Sequence, residues 1–245
     1  MPPPKHRPSI PSEATVEIDG RSVRIAVKAT ARARRYSLRL PAAGGDPVLT
    51  LPIAGHFSEA LAFVHRHRPW LAERLRRRHP PVSLGEGDII PLRGRETVIA
   101  RLPGLRGLTR LEDGEPPRLM VAGEPDHLRR RVIDFLKKEA RHDLEAAVAL
   151  HATRLGASPT AVRLKDTRSR WGSCTASGEL SFSWRVILAP GFVLDYLAAH
   201  EVAHLIELNH SHRFWRLVRQ TCPDMDRGRA WLKAHGARLH AFGAE

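Results

Sequence analysis

The chain has 245 residues, 42% of them hydrophobic and 27% charged, the balance of a folded globular protein and not of a disordered, collagen-like or coiled-coil chain. Forty Lys and Arg against 26 Asp and Glu give a net charge of +14. The excess is uneven: residues 1–110 carry 20 basic and 9 acidic side chains, residues 111–245 carry 20 and 17, so the N-terminal part predicts a polyanion or an acidic surface as partner.

Residues 1–14 are Pro-rich and polar with no apolar run, which predicts a flexible tail and no signal peptide. Short strands are expected at Thr15–Ile18, Val23–Val27, Tyr36–Leu40 and Val48–Leu51, separated by the turn signals Asp19-Gly20 and Gly44-Gly45. Ser58 can cap a helix running to about His79, with Leu61, Val64, Leu71 and Leu75 as its apolar stripe and Pro80-Pro81 as its stop. Residues 82–122 read as a second set of short strands. The period then changes: Leu128, Val132, Phe135, Leu136, Ala140, Leu144 and Val148 recur at helical spacing, so a long helix is expected from a cap at Asp126 to Leu155, closed by Gly156. Val162–Leu164 and Leu180–Trp184 alternate as strands with one buried face. A helix is expected from Pro190 to about Leu208, another after Ser211, and a last one over Arg227–Leu239. The reading is α+β: a flexible tail (1–14), a β-rich basic part (15–122) and a C-terminal α+β domain (123–245), with no internal repeat in the sequence.

Cys174 and Cys222 are too few for a disulfide framework or a zinc site built of sulfur alone. Reduced thiols fit a cytoplasmic protein. The most apolar stretch, Phe192 to Leu208, contains Asp195, His200, Glu201, His204 and Glu207, so no membrane span is expected.

The chemistry concentrates in His200-Glu201-Val202-Ala203-His204. On a helix, positions i and i+4 share a face one turn apart, so both imidazoles can reach one metal ion. Glu201 then sits beside the ligands, where its carboxylate can activate the metal's water, the arrangement of zinc metallopeptidases. Catalytic zinc takes three protein ligands and an open fourth position. His210 is the natural third if the chain turns back at Asn209, which tolerates the left-handed conformation that ends a helix. Glu207 is a rival third ligand but would lie too far along a straight helix. It also stands where the metzincin pattern HExxHxxGxxH requires Gly, which argues against that group. The apolar residues around the motif predict a buried helix, and two imidazoles buried with a carboxylate need a partner.

Ser169-Arg-Trp-Gly-Ser-Cys174, Trp184-Arg185, His200-Glu-Val-Ala-His-Leu205, Asn209-His210-Ser211, Phe214-Trp215 and Cys222-Pro223 together resemble the YgjP-like family of metal-dependent hydrolases, relatives of the SprT-like zinc metallopeptidases. The likeness is strong over about 125–240; further upstream, Arg34-Arg35-Tyr36-Ser37-Leu38 and Trp70-Leu71 are similar to what the family carries. It implies a zincin-like core with Zn2+ on His200, His204 and His210 and Glu201 as general base. Ser183 departs from the pattern, which more often has Asn before the Trp.

Other residues carry weaker readings. Trp171-Gly172-Ser173-Cys174 reads as packing, or as an edge strand on which Gly172 admits the backbone of a substrate. Cys174 is not expected to act as a nucleophile or ligand, Asp195 is expected on an exposed face, and His212 beside the site or on the surface. Arg32, Arg34 and Arg35 and the run Arg74–Arg78 read as a solvated basic face, or as a surface for nucleic acid or a nucleotide. The expected activity is a zinc-dependent metallopeptidase acting on protein or peptide. The alternatives are hydrolysis of a nucleotide phosphoanhydride at the same site, with Arg holding phosphates, and a nucleic-acid-associated binding module or protease.

Overall fold

The computed structural model describes residues 10–41, 45–76, 80–102, 107–167 and 170–243. The chain forms two compact units, Met1–Arg78 and His79–Glu245. The sequence places a boundary near Gly123; the units part 45 residues earlier, because the second strand set shares a core with the long helix.

The first unit holds β1 (Glu13–Ile18), β2 (Arg21–Thr30), β3 (Ser37–Arg39) and β4 (Val48–Pro52) in the order β1-β2-β4-β3. Alternate residues Val16, Ile18, Ile25, Val27, Leu49 and Leu51 are buried and form its core with Val64 and Leu71. The β1–β2 turn has Asp19 and Gly20 both at positive φ (50° and 72°), which matches the right-handed twist of the hairpin. Glu13 and Ala14 already belong to β1, so the expected tail is shorter; its residues 1–9 lie outside the described ones, as does Gly44 of the expected turn. The single helix expected from Ser58 is two: α1 (Phe57–Arg66), whose cap residue is His56, and α2 (Arg68–Arg76). Pro69 explains the break, since it has no N–H for the ladder yet fits the first turn of a new helix. Arg77, Arg78 and His79 lie outside the described residues.

In the second unit, β5 (Ile89–Leu92), β6 (Arg95–Leu102), β7 (Arg110–Glu112) and β8 (Arg118–Ala122) take the order β5-β6-β8-β7. Each four-stranded sheet is an antiparallel hairpin, then a parallel pairing, then an antiparallel edge. The same topology thus occurs twice without a legible sequence repeat. The β5–β6 turn again has positive φ at both positions, Arg93 (51°) and Gly94 (78°). Arg93 is no glycine, and bonds hold it there: its N–H donates to Ile187 O at 2.7 Å, and its guanidinium grips Asp143 (2.7 and 2.8 Å) and Glu139 (2.8 Å).

Those carboxylates belong to α3 (Pro125–Leu155), the spine of the unit. Glu124 is its cap residue with Pro125 first, so Asp126 lies inside the first turn, where its charge favours the helix dipole. Gly156 ends it in the left-handed conformation, as expected. One stripe, Leu128, Val132, Leu136, Ala140, Leu144 and Val148, is buried in the core. Against it lie the sheet β10-β11-β9, made of β9 (Ala161–Lys165), β10 (Gly172–Cys174) and β11 (Glu179–Ser183), a 3₁₀ turn (Trp184–Leu188) and α4 (Gly191–Ala203). Central β11 departs from the expected single buried face: Ser181 and Ser183 are as buried as Leu180 and Phe182. Helices α5 (His212–Thr221) and α6 (Met225–Leu239) complete the unit. No described helix is long and apolar enough to cross a membrane.

Candidate metal centre

Helix α4 carries His200, Glu201 and, at its end, His204. It is apolar nearly all round, with Val193, Leu197, Ala198, Val202 and Ala203 buried, so it threads the core instead of lying on it. His200 and His204 sit one turn apart with ring centroids 4.9 Å from each other. The expected helix to Leu208 stops earlier, at Ala203 with His204 as cap. The N–H groups of Ile206 and Glu207 both donate to Ala203 O, which tightens the last turn. The chain then reverses, and Ser211 caps α5, its hydroxyl accepting from Phe214 N–H at 3.2 Å.

That reversal returns His210 to the helix end. Its Nε2 lies 3.1 Å from His200 Nε2. One potential ligand atom from each of His200, His204 and His210 lies within 4.8 Å of the others, and among the described residues these three form the single such group. Glu207 stays outside it, its carboxylate 3.9 Å from Arg213. Instead Glu207 O accepts from His204 Nδ1–H at 3.1 Å. A carbonyl can only accept, so that bond fixes the tautomer and leaves His204 Nε2 a free lone pair.

Burial sets the electrostatics. It pushes the His200 imidazole down to about 3, with His204, His210 and Arg229 adding to the effect, so the ring is neutral at ordinary pH. His204 is lowered as well, again chiefly by burial. Glu201 is 4% exposed, and burial pushes its carboxyl up to about 8 against the opposing charge of Arg170. His200 Nδ1 and Glu201 Oε2 are buried with no protein partner among the described residues, which is costly for polar atoms unless a ligand uses them.

Gly172 lies on the edge strand β10, one of the two settings expected of it, and borders Glu201. A Cβ there would lie 2.3 Å from Glu201 Oε1 and 2.7 Å from its Cδ. The missing side chain makes room for the Glu201 carboxylate. Neighbouring Trp171 stacks on His240 at 4.4 Å and its carbonyl accepts from Ser183 N–H at 2.8 Å, which fixes the edge strand β10 beside α4. Cys174 is half-buried, its thiol pushed up by burial and by Glu201. Ser183 Oγ is without a hydrogen-bond partner among the described residues. Arg168 and Ser169 lie outside the described residues.

Sequence reasoning missed the aromatic wall. The Phe214 ring is 4.4 Å from His204 and 4.9 Å from His200; Trp215 is 5.7 Å from His200 and 5.6 Å from His210; Tyr196, one turn before His200, is 5.9 Å from it. The Phe-Trp pair is visible in the sequence as one of the motifs of the family resemblance, but only the return of α5 puts it on the histidines. Asp195 also departs from expectation: it is half-buried and accepts from buried His151 at 3.0 Å. His212 begins α5, exposed.

A family model described as the YgjP-like, metallopeptidase domain matches residues 34–235. The chain belongs to that family. The matched span starts in the basic first unit, ends within α6 and includes Glu201 and all three histidines. Membership in this YgjP-like family supports a metal-dependent hydrolase acting on protein. The crystal structure of the metallopeptidase zymogen of Pyrococcus abyssi abylysin is 21% identical over 37% of this chain and 93% of its own, with a TM-score of 0.32, too low to inform the fold. Comparison with curated proteins gives no match.

Proposed function

We propose that this YgjP-like chain is a zinc-dependent metallopeptidase with a zincin-like core, in which His200, His204 and His210 hold the metal and Glu201 is the general base. One observation carries the reading: three imidazole nitrogens converge within 4.8 Å beside a buried carboxylate. The three imidazoles would hold the metal through nitrogens already gathered at the end of α4, with those of His200 and His210 3.1 Å apart. Imidazole suits zinc, and three protein ligands leave the open position that catalysis needs. Zinc bound there supplies Lewis acidity, polarising the scissile carbonyl and acidifying water.

The chain's own residues do the rest. Glu201 takes the proton of the attacking water and passes it to the leaving amine. Its raised proton affinity suits both transfers, and a dication nearby favours its ionised form. Gly172 holds the carboxylate in place by leaving it room, and Glu207 O holds the His204 ring. The two free thiols suit a cytoplasmic setting. Action on a nucleotide phosphoanhydride would draw on the same residues, and the basic first unit is what would favour it or a bound nucleic acid. A substrate panel of unstructured proteins and nucleotides separates these activities.

The deciding measurement is metal content by mass spectrometry, wild type against His204→Ala. About one zinc per chain, lost in the variant, is expected. Protein that takes up no metal even from added zinc overturns the reading.

A further inference from the structure

Two cations stand at the metal centre without carboxylate partners. Arg229 on α6 lies with its guanidinium 4.5 Å over the Trp215 ring, and that ring is 5.7 Å from His200 and 5.6 Å from His210. Burial lowers the proton affinity of His200, and the charge of Arg229 adds a little to that effect. Arg170 lies in the β9–β10 loop, two residues before Gly172, where a Cβ would meet the Glu201 carboxylate. Its backbone is fixed, since Arg170 O accepts from the Thr167 hydroxyl at 2.7 Å, and its charge is felt by Glu201. Both side chains are exposed, and neither has an ion pair or side-chain hydrogen bond among the described residues.

The nearby acids are engaged elsewhere. Glu207 faces Arg213 at 3.9 Å, and Asp226 pairs with Arg219 at 2.9 Å. Glu201 is needed at the reacting centre and is too buried to neutralise two exposed guanidiniums. The two cations come from separate elements, the β9–β10 loop and α6. Guanidinium presents a planar fork of donors that matches a carboxylate, and Arg229 stacked on Trp215 is oriented before any ligand arrives.

We infer that Arg170 and Arg229 determine specificity by binding a carboxylate of the substrate, so that the centre selects peptides with an acidic group next to the scissile bond. This rests on the metallopeptidase reading above, and the test separates the two. Binding is measured by fluorescence anisotropy on zinc-loaded full-length Glu201→Gln protein, so that no probe is consumed. The probes are a labelled hexapeptide with a central glutamate, its glutamine twin, and versions of each with a free or amidated C-terminus. The glutamate peptide is expected to bind at least about tenfold more tightly than its twin, as for one charge-assisted pair. Arg170→Gln with Arg229→Gln should bring the ratio near unity, and the Lys variants should retain part of it. Preference for a free over an amidated C-terminus, lost in the same double variant, would make the terminal carboxylate the recognised group. Equal binding of all four peptides, or a preference that survives the double substitution, overturns the inference. Cleavage is read separately with Glu201 intact: acid-selective binding without hydrolysis of any peptide would refute the peptidase reading and leave only carboxylate binding by Arg170 and Arg229.

Discussion

Gly172 and Glu201 are fitted to each other at contact distance, which makes the glycine as demanding as the glutamate. Any side chain at 172 must displace the carboxylate or move β10, because the clash at 2.3 Å is far inside van der Waals contact. Gly172→Ala is expected to keep zinc and lower kcat by about 10- to 100-fold, since a misplacement near 1 Å costs on that order. Metal analysis beside steady-state kinetics checks it; full activity would show that the strand yields freely. Glu201→Gln is expected to keep zinc and lose hydrolysis by about 10²–10⁴-fold, the usual worth of a positioned base. Cys222 is less reactive than a free thiol. Burial and the Asp195 carboxylate push it up to about 12, so it should resist alkylation at neutral pH in the folded protein.

Helices α3, α4 and α5 are tied by one partly buried polar network. His151 on α3 donates through Nε2 to Asp195 on α4 and accepts at Nδ1 from the Thr221 hydroxyl on α5 at 2.7 Å. Arg154 donates to Thr221 O at 2.8 Å, and the Cys222 thiol to Asp195 at 3.5 Å. The bond from His151, more than any other contact, holds Asp195 below the usual carboxylate range. A carboxyl whose proton affinity falls on folding stabilises the fold above its unfolded value, and that contribution is lost as pH falls through the folded one. Urea unfolding followed over roughly pH 3 to 6 should therefore show stability falling at the acid end, with a shallower fall in Asp195→Asn. An unchanged acid limb in the variant would assign the loss to other groups. Arg93 makes a comparable tie between the second sheet and α3; Arg93→Ala should cost roughly 1–3 kcal/mol, the worth of hydrogen bonds to charged groups, read from the same curves.

At the scale of the molecule, the three histidines of the candidate metal centre lie wholly within the second unit, between the end of α4 and the start of α5. A ligand that binds only the folded state stabilises it by about 2.7 kcal/mol at a concentration 100 times its Kd. Zinc should thus raise the unfolding midpoint of the wild type, chelation should reverse it, and His204→Ala should abolish the response. A shift that persists in His204→Ala would place the zinc elsewhere. The repeated β1-β2-β4-β3 topology shows how little sequence such a sheet demands: two positive-φ residues at the hairpin and apolar alternation on one face. Asp19-Gly20 reads as a turn by eye; Arg93-Gly94 does not, because its arginine is held by carboxylates 46 and 50 residues away.

The sequence alone determined what local periodicity and spacing can specify: the apolar stripe of α3 with Gly156 at its end, the strands of the first β-rich segment and the β character of the second, the start of α5 after Ser211, and a His-Glu-His pattern that requires a shared face. The YgjP-like resemblance was legible for the same reason, being carried by contiguous motifs. Tertiary structure decided what depends on chain reversal and distant partners. Helix α4 stops at Ala203 because a tight turn there returns His210, which helical period cannot foretell. Gly172 is small for Glu201, Asp195 is anchored to His151, and Trp215 and Arg229 stand by the histidines, because packing joins residues on different elements, as far apart in the chain as His151 and Asp195. The unit boundary moved for the same cause: the side chains of α3 select which strands share its core, and that choice has no local signature.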